Sequence, residues 1–452
     1  MSDNLVVLLV IVLLIALLLS RMPVWIALAI SGGAGLLLLR DSDFVTSTLA
    51  SSAFEQTSTF SLTIIPMFIL LGVFAVRARI AEQVFAVARR AFRVLPGGLG
   101  ISTVAACAGF AAVSGSSIGT AATMSKLSIG EMRRAGYPVS LAGALVAVAG
   151  TLGAMIPPSL FLVLYAILTG ESIGRMLAAG IVPGVLSAVA YAAYILVRTR
   201  KMKLVPVSAS GDDLHAGLDG AVSDAKARAA SDRLPLRGIF RLAIIFAIIM
   251  GGIYSGIFTA TESAAIGALF ALLMVALEYR RDGLRAIGVQ ITEALKETAK
   301  TTSMVFAIIV GSAILSLFFV VAGVPQSVAG SLTSLDLPDW LILALLLALL
   351  IPLGMALESI SILVITVPLI YPVATTMGFD GIWLGILIVK LIEIGMVTPP
   401  IGINCFVVSG AADIKTSEVF KGVWPFVAIE IALIVVFFAF PDLVLWLPSL
   451  VN

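Results

Sequence analysis

Residues 152–167 read LGAMIPPSLFLVLYAI, with two adjacent prolines, Pro157 and Pro158, inside a run that holds no charged residue across 139–169. As one helix, that run of 31 residues would be roughly 46 Å long at about 1.5 Å per residue, against a hydrocarbon core of about 30 Å. It must therefore tilt or break, and the prolines say where. They lack amide donors and their rings block the preceding turn, which frees carbonyls over 153–156 near mid-depth. The next half-helix starts at Pro158 and Ser159 and presents free N–H groups at the positive end of its dipole. Backbone left unpaired in lipid costs several kcal/mol, so it lines a cavity or binds something. Freed carbonyls suit a cation; a helix N-terminus suits an anion.

The rest of the chain sets the class. Over 452 residues it is 60% hydrophobic and 12% charged, with a mean hydropathy of +1.14, whereas soluble domains are about half apolar and a quarter charged. The fold class is an all-α polytopic membrane protein. The first apolar run follows MSDN, without a basic leader, and reads as a retained helix and not a signal peptide. Cys107 and Cys405 are far apart in apolar sequence and read as small buried hydrophobes. The single histidine, His215, sits in a polar linker, which removes histidine-based catalysis and most transition-metal chemistry. No enzyme activity is expected.

Apolar runs place crossings at 5–20, 22–39, 61–76, 139–169, 177–197, 238–257, 262–279, 302–322, 382–411 and 423–447. Two more stretches, 97–131 and 339–374, are interrupted by the polar clusters SGSS (114–117) and LESIS (357–361). Each half of these is too short to span, so both read as re-entrant helical hairpins. With this layout one side collects Arg21, the arginines from Arg77 to Arg93, Lys126, Arg133, Arg134, the basic residues of 198–241 and 280–300, Lys415 and Lys421. The other side has only Arg40 and Arg175. The basic side is cytoplasmic by the positive-inside rule, which puts both termini outside. The segment 199–237 is a flexible cytoplasmic linker, and the basic amphipathic stretches 79–95 and 283–301 read as helices along the cytoplasmic interface.

A shift of 242 residues lays Leu95-Pro96 on Leu337-Pro338, Ile118 on Ile360, Gly153 on Gly395 and Pro157-Pro158 on Pro399-Pro400. The order of elements agrees as well, so 1–198 and 238–452 read as two repeats. Five crossings per repeat is odd, which makes them inverted, a transporter architecture. The second break, GMVTPPIGIN (395–404), adds side-chain oxygens at Thr398 and Asn404. The hairpin tips add Ser114, Gly115, Ser116 and Ser117 on one side, and Glu358, Ser359 and Ser361 on the other. Hard oxygen donors without soft ligands favour an alkali ion such as Na⁺. Serines at helix starts are ordinarily plain caps, and proline kinks commonly serve packing; the recurrence of tip and break together, in register, favours binding. Lys390 and Glu393 lie three apart on one face of a crossing, and a mutual ion pair is expected because an unpaired charge there costs about 2.5–3.5 kcal/mol. Structural and ion-coupling roles for that pair stay open.

SGSSIGTAATM, GAMIPPSLFLVLYA and GMVTPPIGINCFV, in this order, resemble the large membrane subunit of TRAP (tripartite ATP-independent periplasmic) transporters. The resemblance covers essentially the whole chain. It implies a secondary transporter in the bacterial inner membrane, importing an organic anion, usually a carboxylate, on a Na⁺ gradient. It implies two partners, a periplasmic solute-binding protein and a small four-helix membrane subunit, here expected as a separate polypeptide. It implies no cofactor beyond Na⁺ as coupling ion, and an elevator motion of 61–175 with 302–413 against a scaffold of 5–39, 177–197, 238–279 and 423–447.

Carried onto this sequence, one Na⁺ site takes Ser114, Gly115, Ser116, Ser117, Gly153, Ile156 and Pro157. The symmetry-related one takes Glu358, Ser359, Thr398, Pro399, Gly402 and Asn404. Substrate is expected between them, on Ser116, Ser159, Ser361 and Asn404, with helix N-termini holding the anion. Three rival readings stand beside this one: a stand-alone Na⁺-coupled dicarboxylate carrier, a proton-translocating antiporter-type subunit working through Lys390 and Glu393, and an intramembrane serine hydrolase at SGSS. The last lacks a base, and the second lacks the chain of buried ionisable groups such machinery uses.

Overall fold

A computed structural model describes residues 3–20, 22–202, 236–324, 327 and 337–451. Arg21, His215 and nearly all of the 199–237 linker lie outside the described residues. Among these residues every regular element is a helix. Six are long and apolar enough to cross a membrane: Phe60–Arg77, Ile173–Thr199, Ala260–Glu278, Leu284–Val321, Ser359–Thr376 and Thr416–Ala439. The uncharged run of the opening quotation is a bent pair, Val139–Met155 and Leu160–Thr169, turned by 41° between them.

Both hairpins form, for local reasons. Gly98–Ser114 ends on Gly115 at φ +58°, a left-handed position that glycine takes without a Cβ penalty. Ser116 is extended and caps Ser117–Met124, its Oγ accepting from the Gly119 amide at 3.2 Å. Two residues thus reverse the chain. In the second hairpin, Asp339–Ala348 and Leu350–Ala356 end in extended Leu357 and Glu358 before Ser359–Thr376. That last arm, 18 residues, is long enough to span by itself, so the expectation that each half is too short fails here. Its tip is an end inside the protein because Ser359 packs beside Glu393, within the Gly381–Val397 helix.

Three further boundaries differ from the sequence reading. The stretch 283–301 is no separate interfacial helix: Leu284–Val321 runs unbroken for 38 residues, since it holds no proline and tolerates Gly288 and Gly311 in its interior. The final crossing stops at Ala439, ahead of Pro441, and does not reach 447. Ser42–Thr57 is a helix that apolar patterning does not reveal, because its serines and threonines hide any apolar stripe.

Contacts divide the helices into two groups. In the first, Val24–Leu39 packs on Leu284–Val321, Ile64–Arg77 packs on both Ala260–Glu278 and Leu284–Val321, and Asp3–Leu19 covers Val24–Leu39. In the second, the hairpins and broken helices interleave: Leu160–Thr169 lies on Ser359–Thr376, and Ile403–Ala412 lies on Ser117–Met124. All the extensive contacts of Ile173–Thr199 and Thr416–Ala439 fall in this second group. The division expected from the sequence is therefore corrected at four crossings. Those near 61–76 and 302–322 pack with the outer helices; those at 177–197 and 423–447 pack with the hairpins. Gly180 and Gly184 show why: a Cβ on Gly180 would lie 2.3 Å from the Met155 carbonyl oxygen, and one on Gly184 2.7 Å from Ile156. Small residues four apart let this helix sit against the first break.

Candidate functional site

Each break lies against its own hairpin. A Cβ on Gly153 would stand 2.6 Å from the Ser116 carbonyl oxygen, and one on Gly395 would stand 2.5 Å from the Gly354 Cα. The first tip also reaches the second half of its break, with the Leu160 amide donating to the Gly115 carbonyl at 3.4 Å. The proline pairs Pro157-Pro158 and Pro399-Pro400 are both cis. Extended Ile156 and extended Thr398 occupy the corresponding ends of the interrupted helices.

Side chains take up part of the backbone that the prolines free. Ser159 Oγ donates to the Ala154 carbonyl at 2.5 Å and accepts from the Leu162 amide at 3.4 Å, so it spans the first break. Across the second, Thr398 Oγ1 donates to Ile394 at 2.6 Å, and Cys405 Sγ donates to Val397 at 3.3 Å. The sequence alone marks Cys405 as a small buried hydrophobe; its place eight residues after Val397, beyond a proline pair, is the signal for this bond. Gly402, at φ +54°, starts the next half-helix.

The predicted site residues fall in two sets. Gly115, Ser116, Ser117 and Gly153 come together, with Ser114 Oγ 2.7 Å from Thr120 Oγ1 in the same hairpin, while Ile156 lies at the end of the interrupted helix against Gly184 and Pro157 follows it in the chain. Ser359, Thr398, Pro399 and Gly402 cluster at the second break, and Ser361 Oγ donates to Glu358 Oε2 at 3.4 Å. Asn404 departs from this second set: fully buried, it donates through Nδ2 to the Ala147 carbonyl of the first broken helix at 3.5 Å. Its half-helix packs on the first hairpin, so it faces the opposite repeat, and its Oδ1 has no partner among the described residues.

Between the tips the expected Lys390–Glu393 pair does not form. Lys390 instead pairs with Glu430 of Thr416–Ala439 and donates to Ser187 Oγ at 2.6 Å, while Tyr191 donates to the other Glu430 oxygen. Three apart on a helix brings two side chains to one face but does not oblige them to meet, and here a better acceptor faces Lys390. Glu430 was legible as the one charge inside the apolar run 423–441, ahead of Asp442 near its end. Glu393 is 4% exposed, and its Oε1 accepts from Ser117 Oγ at 3.3 Å and from Ser359 Oγ at 3.1 Å. The space lined by Thr151, Tyr191, Lys390, Glu393 and Glu430 measures about 10 Å³, room for about one water.

Chemically, the arrangement offers two oxygen-lined tip-and-break sites around a charged, closely packed centre. Residues 11–443 match the family described as "DctM: Tripartite ATP-independent periplasmic transporter, DctM component". The chain is 34% identical over 355 residues, 78% of each chain, to the C4-dicarboxylate TRAP transporter large permease protein DctM of Pseudomonas aeruginosa. It is 30% identical over 373 residues, 82% of each chain, to the sialic acid TRAP transporter large permease protein SiaM of Vibrio cholerae. In fold it is similar to the YdaH transporter of Alcanivorax borkumensis, at a TM-score of 0.61 and 14% identity over 92% of this chain and 91% of that one. A transporter-like packing of hairpins on broken helices and a family match along nearly the whole sequence lead to one conclusion: the chain belongs to the DctM component family, as the large membrane subunit of a TRAP transporter.

Proposed function

We propose that this subunit imports an organic anion, a carboxylate, across the inner membrane on a Na⁺ gradient, taking it from a periplasmic binding protein and working beside a small membrane subunit. The observation that carries this reading is the pairing of Gly153 with the Ser116 backbone and of Gly395 with Gly354, which brings each oxygen-lined break against its own hairpin. Na⁺ at each break would draw on backbone carbonyls and the hydroxyls of Ser116, Ser117 or Ser359, and Thr398. Half-helix N-termini at Ser117, Leu160, Ser359 and Ile403 supply N–H groups for the carboxylate. The two repeats are taken as inverted, with both termini outside. The moving body is 98–199 with 339–439, since these helices pack on one another; the remaining crossings form the scaffold.

Reconstitution in liposomes with the cognate binding protein and small subunit tests the reading. Uptake is expected only with an inward Na⁺ gradient and the binding protein present. Indifference to Na⁺ removes the coupling ion, and full uptake without the binding protein transfers the chain to the stand-alone carrier reading. A sharper expectation concerns Ser116→Ala. Losing one hydroxyl oxygen from the ion's shell, at about 1 kcal/mol, raises the Na⁺ concentration for half-maximal uptake about fivefold, whereas the lost cap bears on stability alone. An unchanged Na⁺ response would remove Ser116 from the site and leave the family assignment intact.

A further inference from the structure

The two serines on Glu393 are symmetry mates. The 242-residue shift that lays Gly153 on Gly395 also lays Ser117 on Ser359, the first residue of the second arm in each hairpin. Both hydroxyls donate to the same oxygen, Glu393 Oε1. Glu393 itself has no acidic mate, because the same shift places Thr151 at its equivalent position. One acceptor thus serves two tips that the repeat otherwise keeps separate. A second carboxylate there would meet the first in a desolvated space and repel it. Ser117 and Ser359 are at most 1% exposed, so neither hydroxyl has water to turn to; Ser359 Oγ also touches Met396 Sδ, a thioether and a far weaker acceptor than a carboxylate. Glu393 Oε2 has no partner among the described residues, so what Glu393 holds by hydrogen bonds it holds through Oε1.

From this geometry we infer that Glu393 is a positioning residue that ties the two hairpin tips together, so that closing one tip on its ion orders the other. Its transport readout rests on the Na⁺-coupled reading above; its structural readout does not. Two sites that share a movable acceptor are coupled by the free energy of that shared contact. Cooperative Na⁺ dependence follows, with a Hill coefficient above one for uptake. The acceptor oxygen is what matters, so Glu393→Gln, which keeps a carbonyl at that place, retains the coupling. Glu393→Ala removes it.

Hydrogen exchange of the complete subunit in Na⁺-free detergent solution tests the tie directly. Glu393→Ala should speed exchange at 115–121 and at 359–363 together, by about tenfold, as expected for a lost buried hydrogen bond; Glu393→Gln should leave both near wild type. Faster exchange at one tip alone, or confined to 381–397, would overturn the tie, as would equal loosening by Gln and Ala, which would point to the charge and not the acceptor. In liposomes, Ser117→Ala or Ser359→Ala alone should bring the Hill coefficient to one, with the double variant going no lower. This arm also serves if Glu393→Ala fails to fold. A single serine variant that keeps the wild-type coefficient, or a wild-type coefficient of one, counts against the inference. Wild-type uptake that ignores Na⁺ would instead defeat the Na⁺ reading, and hydrogen exchange would still decide on the tie.

Discussion

Gly153→Ala and Gly395→Ala should each stop transport, although either change adds a single methyl group. The methyl on Gly153 would lie 2.6 Å from the Ser116 carbonyl oxygen and 3.0 Å from the Ser117 nitrogen; that on Gly395 would lie 2.5 Å from the Gly354 Cα and 2.6 Å from the Ile351 carbonyl oxygen. These are backbone atoms, so no rotamer change relieves the contact, and the hairpin must lift away from the break. Overpacking of this kind costs about 1–3 kcal/mol in stability. The larger loss is functional, because an ion bound by both tip and break loses one side of its shell. Gly251→Ala is the control: nothing lies within 4 Å of a Cβ there, and alanine favours a helix by about 1 kcal/mol over glycine. Uptake and thermal stability measured on the three variants together check the argument. Gly153→Ala with wild-type uptake would mean that tip and break need not touch during transport.

What the sequence disclosed and what it hid divide along a physical line. Prolines at 157–158 and 399–400, Gly115 and the serines beside it act within one turn of themselves, so breaks and hairpin tips were readable where they occur. Interhelical partnership has no such local signature in lipid, where an apolar face may meet either a helix or an acyl chain. The crossings near 61–76, 177–197, 302–322 and 423–447 were accordingly assigned to the wrong neighbours, although Gly180 and Gly184 carried a hint of close packing. The polar change at 301–302 was mistaken for a helix end, because a helix leaving the membrane changes its composition without changing its backbone. Asn404 was placed by chain proximity, whereas interleaving of the half-helices carries it to the first repeat.

Lys390→Met should cost about 3–5 kcal/mol of stability, the usual result of leaving one member of a buried ion pair alone. Glu430 is 4% exposed and, among the described residues, would keep only the Tyr191 hydroxyl as donor. Lys390→Met combined with Glu430→Gln should recover most of that loss, because neither member of the pair is then charged and the amide oxygen can still accept from Tyr191. Combining Lys390→Met with Glu393→Gln should recover little, since the serines and not Lys390 occupy Glu393 Oε1. Thermal unfolding of the purified variants separates the two cases, and rescue by Glu393→Gln alone would restore the Lys390–Glu393 pair that the sequence led one to expect. The double variant also judges function. Lys390 joins the Gly381–Val397 helix to the last crossings of both halves through Glu430 and Ser187. If that link only holds the three helices as one body, the neutral pair transports on a Na⁺ gradient much as before. If instead Na⁺-driven uptake is lost while stability returns, the charges themselves take part in coupling, and the proton-translocating reading gains the buried ionisable groups it lacked.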